Sequence, residues 1–323
     1  MGDRIIRAMD RVLSGEAIDH DTAVELSVVS DADRTFLFAA AQKIREAFRG
    51  NRVELCSIVN AKSGACSEDC AFCAQSAHYR TGAPVYPLIS VDDMARAAEG
   101  AKKNMAQRFS LVTSGRGINS DRDLRMIADG IRRVKEIGLT PCASLGTLRR
   151  EQLAYLRDAG LQRYHHNIET SREFFSNVCT THSFEERLEV LDNARSIGLS
   201  TCSGGILGMG ESMKDRISMA FTLKEIGVDS VPINFLMPIK GTPLENVREI
   251  SPLEALHSIA LFRFILPDKE IRVCAGRSTA LRQLHPMILM AGADGFMIGN
   301  YLTRAGLDPE ADLQMVHDLG LSV

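Results

Sequence analysis

Residues 108–145 read RFSLVTSGRGINSDRDLRMIADGIRRVKEIGLTPCASL. A short run of apolar and β-branched residues (108–113) is followed by a stretch whose apolar positions recur at helical spacing (121–137). Gly138 then stands where a helix C-cap is expected, and a second short run follows at 140–145. This alternation is the pattern of a βαβ unit in a parallel sheet. It extends in both directions. Candidate strands lie at 53–59 (VELCSIV), 163–168 (RYHHNI), 200–206 (STCSGGI), 230–236 (SVPINFL), 271–275 (IRVCA) and 295–298 (GFMI). Helical patterns fill the gaps at 149–159, 184–197, 213–226, 252–266 and 278–291, and Gly160, Gly198 and Gly227 repeat the C-cap signal. Eight strands with interleaved helices predict an α/β fold, a (β/α)8 TIM-type barrel, whose usual size is about 250 residues.

Residues 1–50 carry only helical spacing, and no low-complexity, Pro-rich or charge-block segment divides the chain. The expected organisation is a helical N-terminal segment over 1–50 and one barrel domain over 51–323. The 323 residues are 45% hydrophobic and 24% charged with a net charge of −3, which gives no bulk basic character for nucleic acid or an anionic membrane. No apolar run reaches the roughly 18 residues of a membrane span. The start, MGDRIIRAMDRVLSG, lacks the apolar block of a signal peptide, and Ile6 does not fit a myristoylation signal. A cytoplasmic location is the expectation, and eight cysteines there favour metal binding or redox chemistry over disulfides.

Three of those cysteines fall together. The loop after the first strand reads GACSEDCAFCAQS, which spaces Cys66, Cys70 and Cys73 as C-x3-C-x2-C. Three thiolates at this spacing can hold three irons of a 4Fe–4S cluster and leave the fourth open to a small chelating molecule. A structural zinc site with His78 as fourth ligand, or plain buried thiols, are the alternatives. The position favours chemistry, because reactive groups of such barrels collect in loops at strand C-termini.

With Phe72 before the last cysteine, the triplet resembles the radical S-adenosylmethionine superfamily. That resemblance implies that adenosylmethionine chelates the open iron and is split by one electron to a deoxyadenosyl radical. Six further segments narrow it: CSEDCAFCAQSAHYRTG, YHHNIETS, CTTHSFEERL, CSGGILGMGE, DSVPINFLMPIKGTPL and IRVCAGR. In this order they resemble the biotin synthase family from about residue 50 to 320. The resemblance implies conversion of dethiobiotin to biotin, with sulfur drawn from an auxiliary iron–sulfur cluster inside the barrel. It also implies a flavodoxin- or ferredoxin-type electron donor and a homodimer. Other radical barrel enzymes, of the hydrogenase-maturation or methylornithine-forming kind, are the rival reading, and a non-enzymatic iron–sulfur carrier is another.

Residue roles follow from the same resemblance. Asn167 and Glu169 match positions that contact adenosylmethionine, Asn167 also lying near dethiobiotin. The family's familiar form has Asp at the position of Glu169 and Asn at that of His165. Asn234 matches a residue that bonds the ureido ring of dethiobiotin. Thr113, Ser114 and Gly115 are placed to hold the methionine end of the cofactor, or else form a simple turn. Cys142, Cys202 and Arg272 match three ligands of the auxiliary cluster, but the fourth is Ser110, a poor substitute for a thiolate.

This chain instead has Cys56, Cys179 and Cys274, absent from the familiar form. Cys56, Cys142, Cys202 and Cys274 fall on the first, third, fifth and seventh candidate strands, and alternate strands supply each interior layer of a barrel. Arg272 and Cys274 lie two apart and share a face. The expectation is therefore an auxiliary cluster held by these four cysteines, 4Fe-type by ligand count, with 2Fe–2S as the alternative. Arg272 is its neighbour or a ligand, and Cys179 is a reserve ligand.

Overall fold

The computed structural model describes residues 2–323. Nine parallel strand segments form it: β1 Glu54–Lys62, β2 Arg108–Thr113, β3 Thr140–Ser144, β4 Arg163–His165, β5 Ser200–Cys202, β6 Gly205–Leu207, β7 Ser230–Phe235, β8 Glu270–Val273 and β9 Gly295–Met297. Their order is β5-β4-β3-β2-β1-β9-β8-β7-β6, and β5 also pairs with β7. Since β5 and β6 both run along β7, they are two halves of one strand, and the sheet closes as an eight-stranded parallel barrel. The predicted (β/α)8 architecture is the one found.

Helices α1 Gly2–Leu13, α2 His20–Ser27 and α3 Asp31–Arg49 precede the barrel. Those around it are α4 Val91–Lys103, α5 Asp121–Ile137, α6 Arg150–Asp158, α7 Phe184–Ser196, α8 Met213–Glu225, α9 Pro252–Ile265, α10 Arg277–Leu281, α11 Met287–Met290 and α12 Pro309–Asp318. Helix α5 covers the span expected, and Gly138 closes it at φ +91°, its N–H donating to the Lys135 carbonyl at 2.9 Å. Residues 255–265 of α9 are all buried, which a barrel helix with a solvent face would not show. Its outer side is covered by α1–α3: the His257 ring meets the Leu26 carbonyl at 2.9 Å. None of the described helices is long and apolar enough to cross a membrane.

Three expected elements differ. The strand expected at 163–168 ends at His165, because Glu169 turns the chain at φ +69°. The strand expected at 200–206 is parted at Ser203–Gly204, where the Gly204 N–H donates to the Asn167 side chain at 3.1 Å instead of a strand partner. The helix expected at 278–291 is broken after Leu281 by Arg282 at φ +51° and by Pro286.

Candidate active site

The cysteine triplet sits where β1 ends at the C-terminal mouth of the barrel. Its loop is held shut at the base by paired Ser63–Tyr86 backbone hydrogen bonds of 3.2 and 3.1 Å. Inside the loop, Oε1 of Gln75 accepts from the Ser63 hydroxyl (3.0 Å) and the Gly64 N–H (3.2 Å). The Cys66 N–H donates to the Gln75 carbonyl at 3.0 Å, and the Cys73 N–H to that of Cys70 at 2.9 Å. The segment after β4 braces the far side: Asp69 accepts from the Thr180 and Thr181 N–H groups at 2.9 and 3.2 Å.

All three thiols are free, Cys70 buried and Cys66 and Cys73 half-buried. His78, the fourth ligand in the zinc alternative, is exposed and its Nε2 lies 3.0 Å from the Ser67 carbonyl. A closed tetrahedral set is not assembled with the triplet, so the donors present fit a three-thiolate cluster better than structural zinc.

Below the triplet a cavity of about 340 Å³ runs into the barrel, and Cys73 is on its wall. Cys56, Cys142, Cys202 and Cys274 all line it, with Ser110 and Arg272. They come from β1, β3, β5 and the residue after β8, which is the seventh strand around the barrel once β5 and β6 count as one. Ser110 stands opposite Cys142 across the β2–β3 ladder, its buried hydroxyl without a hydrogen-bond partner. Gly295 leaves room for Arg272: a Cβ there would lie 2.7 Å from the arginine Cγ.

The cavity favours thiolate at Cys56 and Cys202 but opposes it at Cys142 and Cys274, the last pushed well up by its hydrogen bond to Cys56 and by burial. A hydrogen bond from Cys274, helped by Arg272 and His165, outweighs burial and lowers Cys56 to about 6. Burial pushes Cys202 up, but His165, Arg272 and Arg163 together bring it down to about 7. The His165 Nδ1 lies 3.3 Å from the Cys202 sulfur. For Cys142 burial wins, and its thiol rises to about 11. Arg272 donates to the Ser230 hydroxyl at 2.6 Å and to Glu270 at 3.0 Å, so its guanidinium is already engaged beside the sulfurs. Four cysteines, a buried hydroxyl and three arginines (Arg108, Arg163 and Arg272) make a donor set suited to an anionic iron–sulfur cluster.

Nearer the mouth, Asn167, Glu169 and Asn234 line the same cavity. Asn167 donates to Glu169 at 3.2 Å, and Glu169 faces Arg187 at 3.5 Å. Asn234 bridges two segments, donating to the Gly205 carbonyl at 3.2 Å and accepting from the Ala275 N–H at 3.0 Å. Each amide keeps one donor hydrogen and acceptor capacity beyond these bonds. Thr113, Ser114 and Gly115 are not part of the cavity wall. Ser114 instead clamps the start of the triplet loop, its hydroxyl donating to the Gly64 carbonyl at 2.7 Å and its N–H to that of Lys62 at 2.9 Å.

Cys179 does not join the four interior cysteines. Its sulfur lies beside Cys70, and the donor atoms of Cys70, Cys179 and His182 are within 4.8 Å of one another. Sequence reasoning missed Gln75, Arg108 and Arg163. The arginines carried a signal, since both open strands whose next inward positions line the cavity.

The chain matches the Radical SAM superfamily over residues 61–223 and the Biotin and Thiamin Synthesis associated domain over 232–322. It is 51% identical over 313 residues to the biotin synthase of Geotalea uraniireducens, covering 97% of this chain and 95% of that one. It is also 51% identical over 314 residues to that of Pelotomaculum thermopropionicum, covering 97% and 98%. Among solved structures, methylornithine synthase superposes with a TM-score of 0.83 at 21% identity over 98% of this chain and 96% of that one. The FeFe-hydrogenase maturase of Carboxydothermus hydrogenoformans gives 0.82 at 18% identity over 99% and 79%. These two distant likenesses carry the barrel fold alone, whereas the half-identical relatives match from end to end. The chain belongs to the biotin synthase family of radical S-adenosylmethionine enzymes.

Proposed function

We propose that the protein converts dethiobiotin to biotin by inserting sulfur drawn from an auxiliary cluster in the barrel. One observation carries this: a single cavity is lined by Cys73 of the triplet, by Asn167, Glu169 and Asn234, and by the four interior cysteines. Bound 4Fe–4S cluster and adenosylmethionine supply the power to abstract hydrogen from unactivated carbon. The chain's residues do the rest. Cys66, Cys70 and Cys73 hold the cluster, and Gln75 and Ser114 keep their loop in place. Glu169 and Asn167 accept and orient the cofactor, while Asn234 presents its free amide capacity to the ureido ring. The barrel wall keeps water from the reacting carbons.

Cys56, Cys142, Cys202 and Cys274 hold the auxiliary cluster in this reading, of 4Fe type, with Arg272 as neighbour. Residues 1–50 act as a helical support and 51–323 as the catalytic barrel. A flavodoxin- or ferredoxin-type protein supplies electrons, and the enzyme works as a homodimer.

Anaerobic incubation with adenosylmethionine, reductant and dethiobiotin tests the activity. Biotin together with deoxyadenosine is expected; deoxyadenosine without biotin would assign the chain to a sister reaction. Mössbauer spectra and iron counting test the auxiliary site. About eight irons per chain are expected for two four-iron clusters, and about six would mean 2Fe–2S.

A further inference from the structure

The thiol of Cys179 has no place in the chemistry above, yet it is not an idle core residue. It lies against Cys70, 3.3 Å from the Nδ1 of His182 and 3.1 Å from a carboxylate oxygen of Asp69. Glu68 adds a second carboxylate, bonded to the same His182 nitrogen and to the Thr181 hydroxyl at 2.9 Å. Cys70, Cys179 and Glu68 are all more than nine-tenths buried. The donors of Cys70, Cys179 and His182 are the one such group found among the described residues, and Cys66 and Cys73 are not in it. A tetrahedral zinc-type ion, with bonds near 2.3 Å to sulfur and 2.0 Å to nitrogen, separates those two ligand atoms by about 3.5 Å. The Cys179–His182 pair already stands close to that spacing.

We propose that Cys70, Cys179 and His182 form a mononuclear site for a divalent, borderline-soft transition ion, zinc or ferrous iron, in the cluster-free protein, with Glu68 beside His182. On binding, the two thiols release their protons to solvent and the ion takes two thiolates, one imidazole nitrogen and a water molecule, with no change of oxidation state. Because Cys70 also belongs to the triplet, ion and cluster exclude each other. That consequence rests on the reading of Cys70 as a cluster ligand; the ion site itself does not. Zinc there blocks cluster assembly, whereas ferrous iron is held where the cluster is to be built.

Cobalt(II) added to the full, reduced, cluster-free chain reads the site through its thiolate charge-transfer absorption. Cys56→Ser, Cys142→Ser, Cys202→Ser and Cys274→Ser are first introduced to silence the four interior thiols. In that background Cys179→Ser should remove roughly half of the absorption at one equivalent, as expected for one of two thiolate ligands, and Cys66→Ser should leave it unchanged. Loss with Cys66→Ser but not with Cys179→Ser would put the ion in the triplet and overturn the proposal. Alkylation mapping of the unsubstituted chain gives a reading free of folding effects. One equivalent of zinc should slow modification of Cys70 and Cys179 but not of Cys66, and the opposite pattern overturns the site. Zinc preloading should delay the 4Fe–4S absorption after iron and sulfide are added, while ferrous preloading should not. An equal delay in a chain carrying Cys179→Ser would refute the exclusion.

Discussion

At Ser110 a buried hydroxyl faces the cavity without a hydrogen-bond partner. Cys142 lies directly across from it, and Cys56 and Cys274 complete the ring of sulfur from other strands. If Cys274 is a ligand, Cys274→Ala should lower iron from about eight to about four per chain and leave the triplet's cluster signal intact. Iron analysis with electron paramagnetic resonance checks this, and unchanged iron would remove Cys274 from the ligand set. Asn234 carries a double role. Asn234→Ala strands the Ala275 N–H and the Gly205 carbonyl, so it should cost about 1–3 kcal/mol in urea unfolding as well as biotin formation. These residues were legible in the sequence because thiols and amides at strand ends announce themselves. The partnership of Cys179 with Cys70 was not, because nothing local links two residues more than a hundred positions apart.

Between β5 and β6 the barrel wall is seamed by Ser203 and Gly204, and neither Gly204 nor the adjoining Gly205 has room for a side chain. A Cβ on Gly204 would sit 2.0 Å from the Pro232 carbonyl oxygen, and one on Gly205 would sit 2.1 Å from that of Glu169. Backbone atoms cannot yield as a side-chain tip can. Gly204→Ala should therefore destabilise by at least the ~1–3 kcal/mol of an overpacked core. Gly198→Ala meets nothing within 4 Å at φ +83° and should cost only the ~1–2 kcal/mol of a left-handed residue. Urea unfolding of the two variants measures the contrast, and equal losses would mean the seam is not tight. Elements with their own punctuation, such as 108–113 and 121–137 with Gly138, matched expectation. The ends at His165 and Cys202 did not, because the chain turns at Glu169 and Asn167 reaches across to Gly204.

Across the whole molecule, Asp294 ties the N-terminal helices to the barrel floor. Its carboxylate accepts from Arg263 at 2.7 Å, from Arg49 at the end of α3 at 2.7 Å, and from the Ile271 N–H at 2.6 Å. Asp294 and Arg263 are almost fully buried, so cutting this pair leaves a charge without its partner. Asp294→Ala should cost about 3–5 kcal/mol and open α3 to proteolysis sooner than the barrel strands. Thermal melts with timed proteolysis test both parts, and cleavage starting within the barrel would argue against the tie.

The amino-acid sequence alone determined the eight-strand alternation, the triplet and the alternate-strand placement of the interior cysteines, because each rests on local spacing. Only the tertiary structure decided that Cys179 stands with Cys70 rather than in the interior ring. It also decided that Ser114 grips the triplet loop and that one strand is split in two. Those outcomes depend on which loops meet across the barrel mouth, and chain closure over long separations settles that.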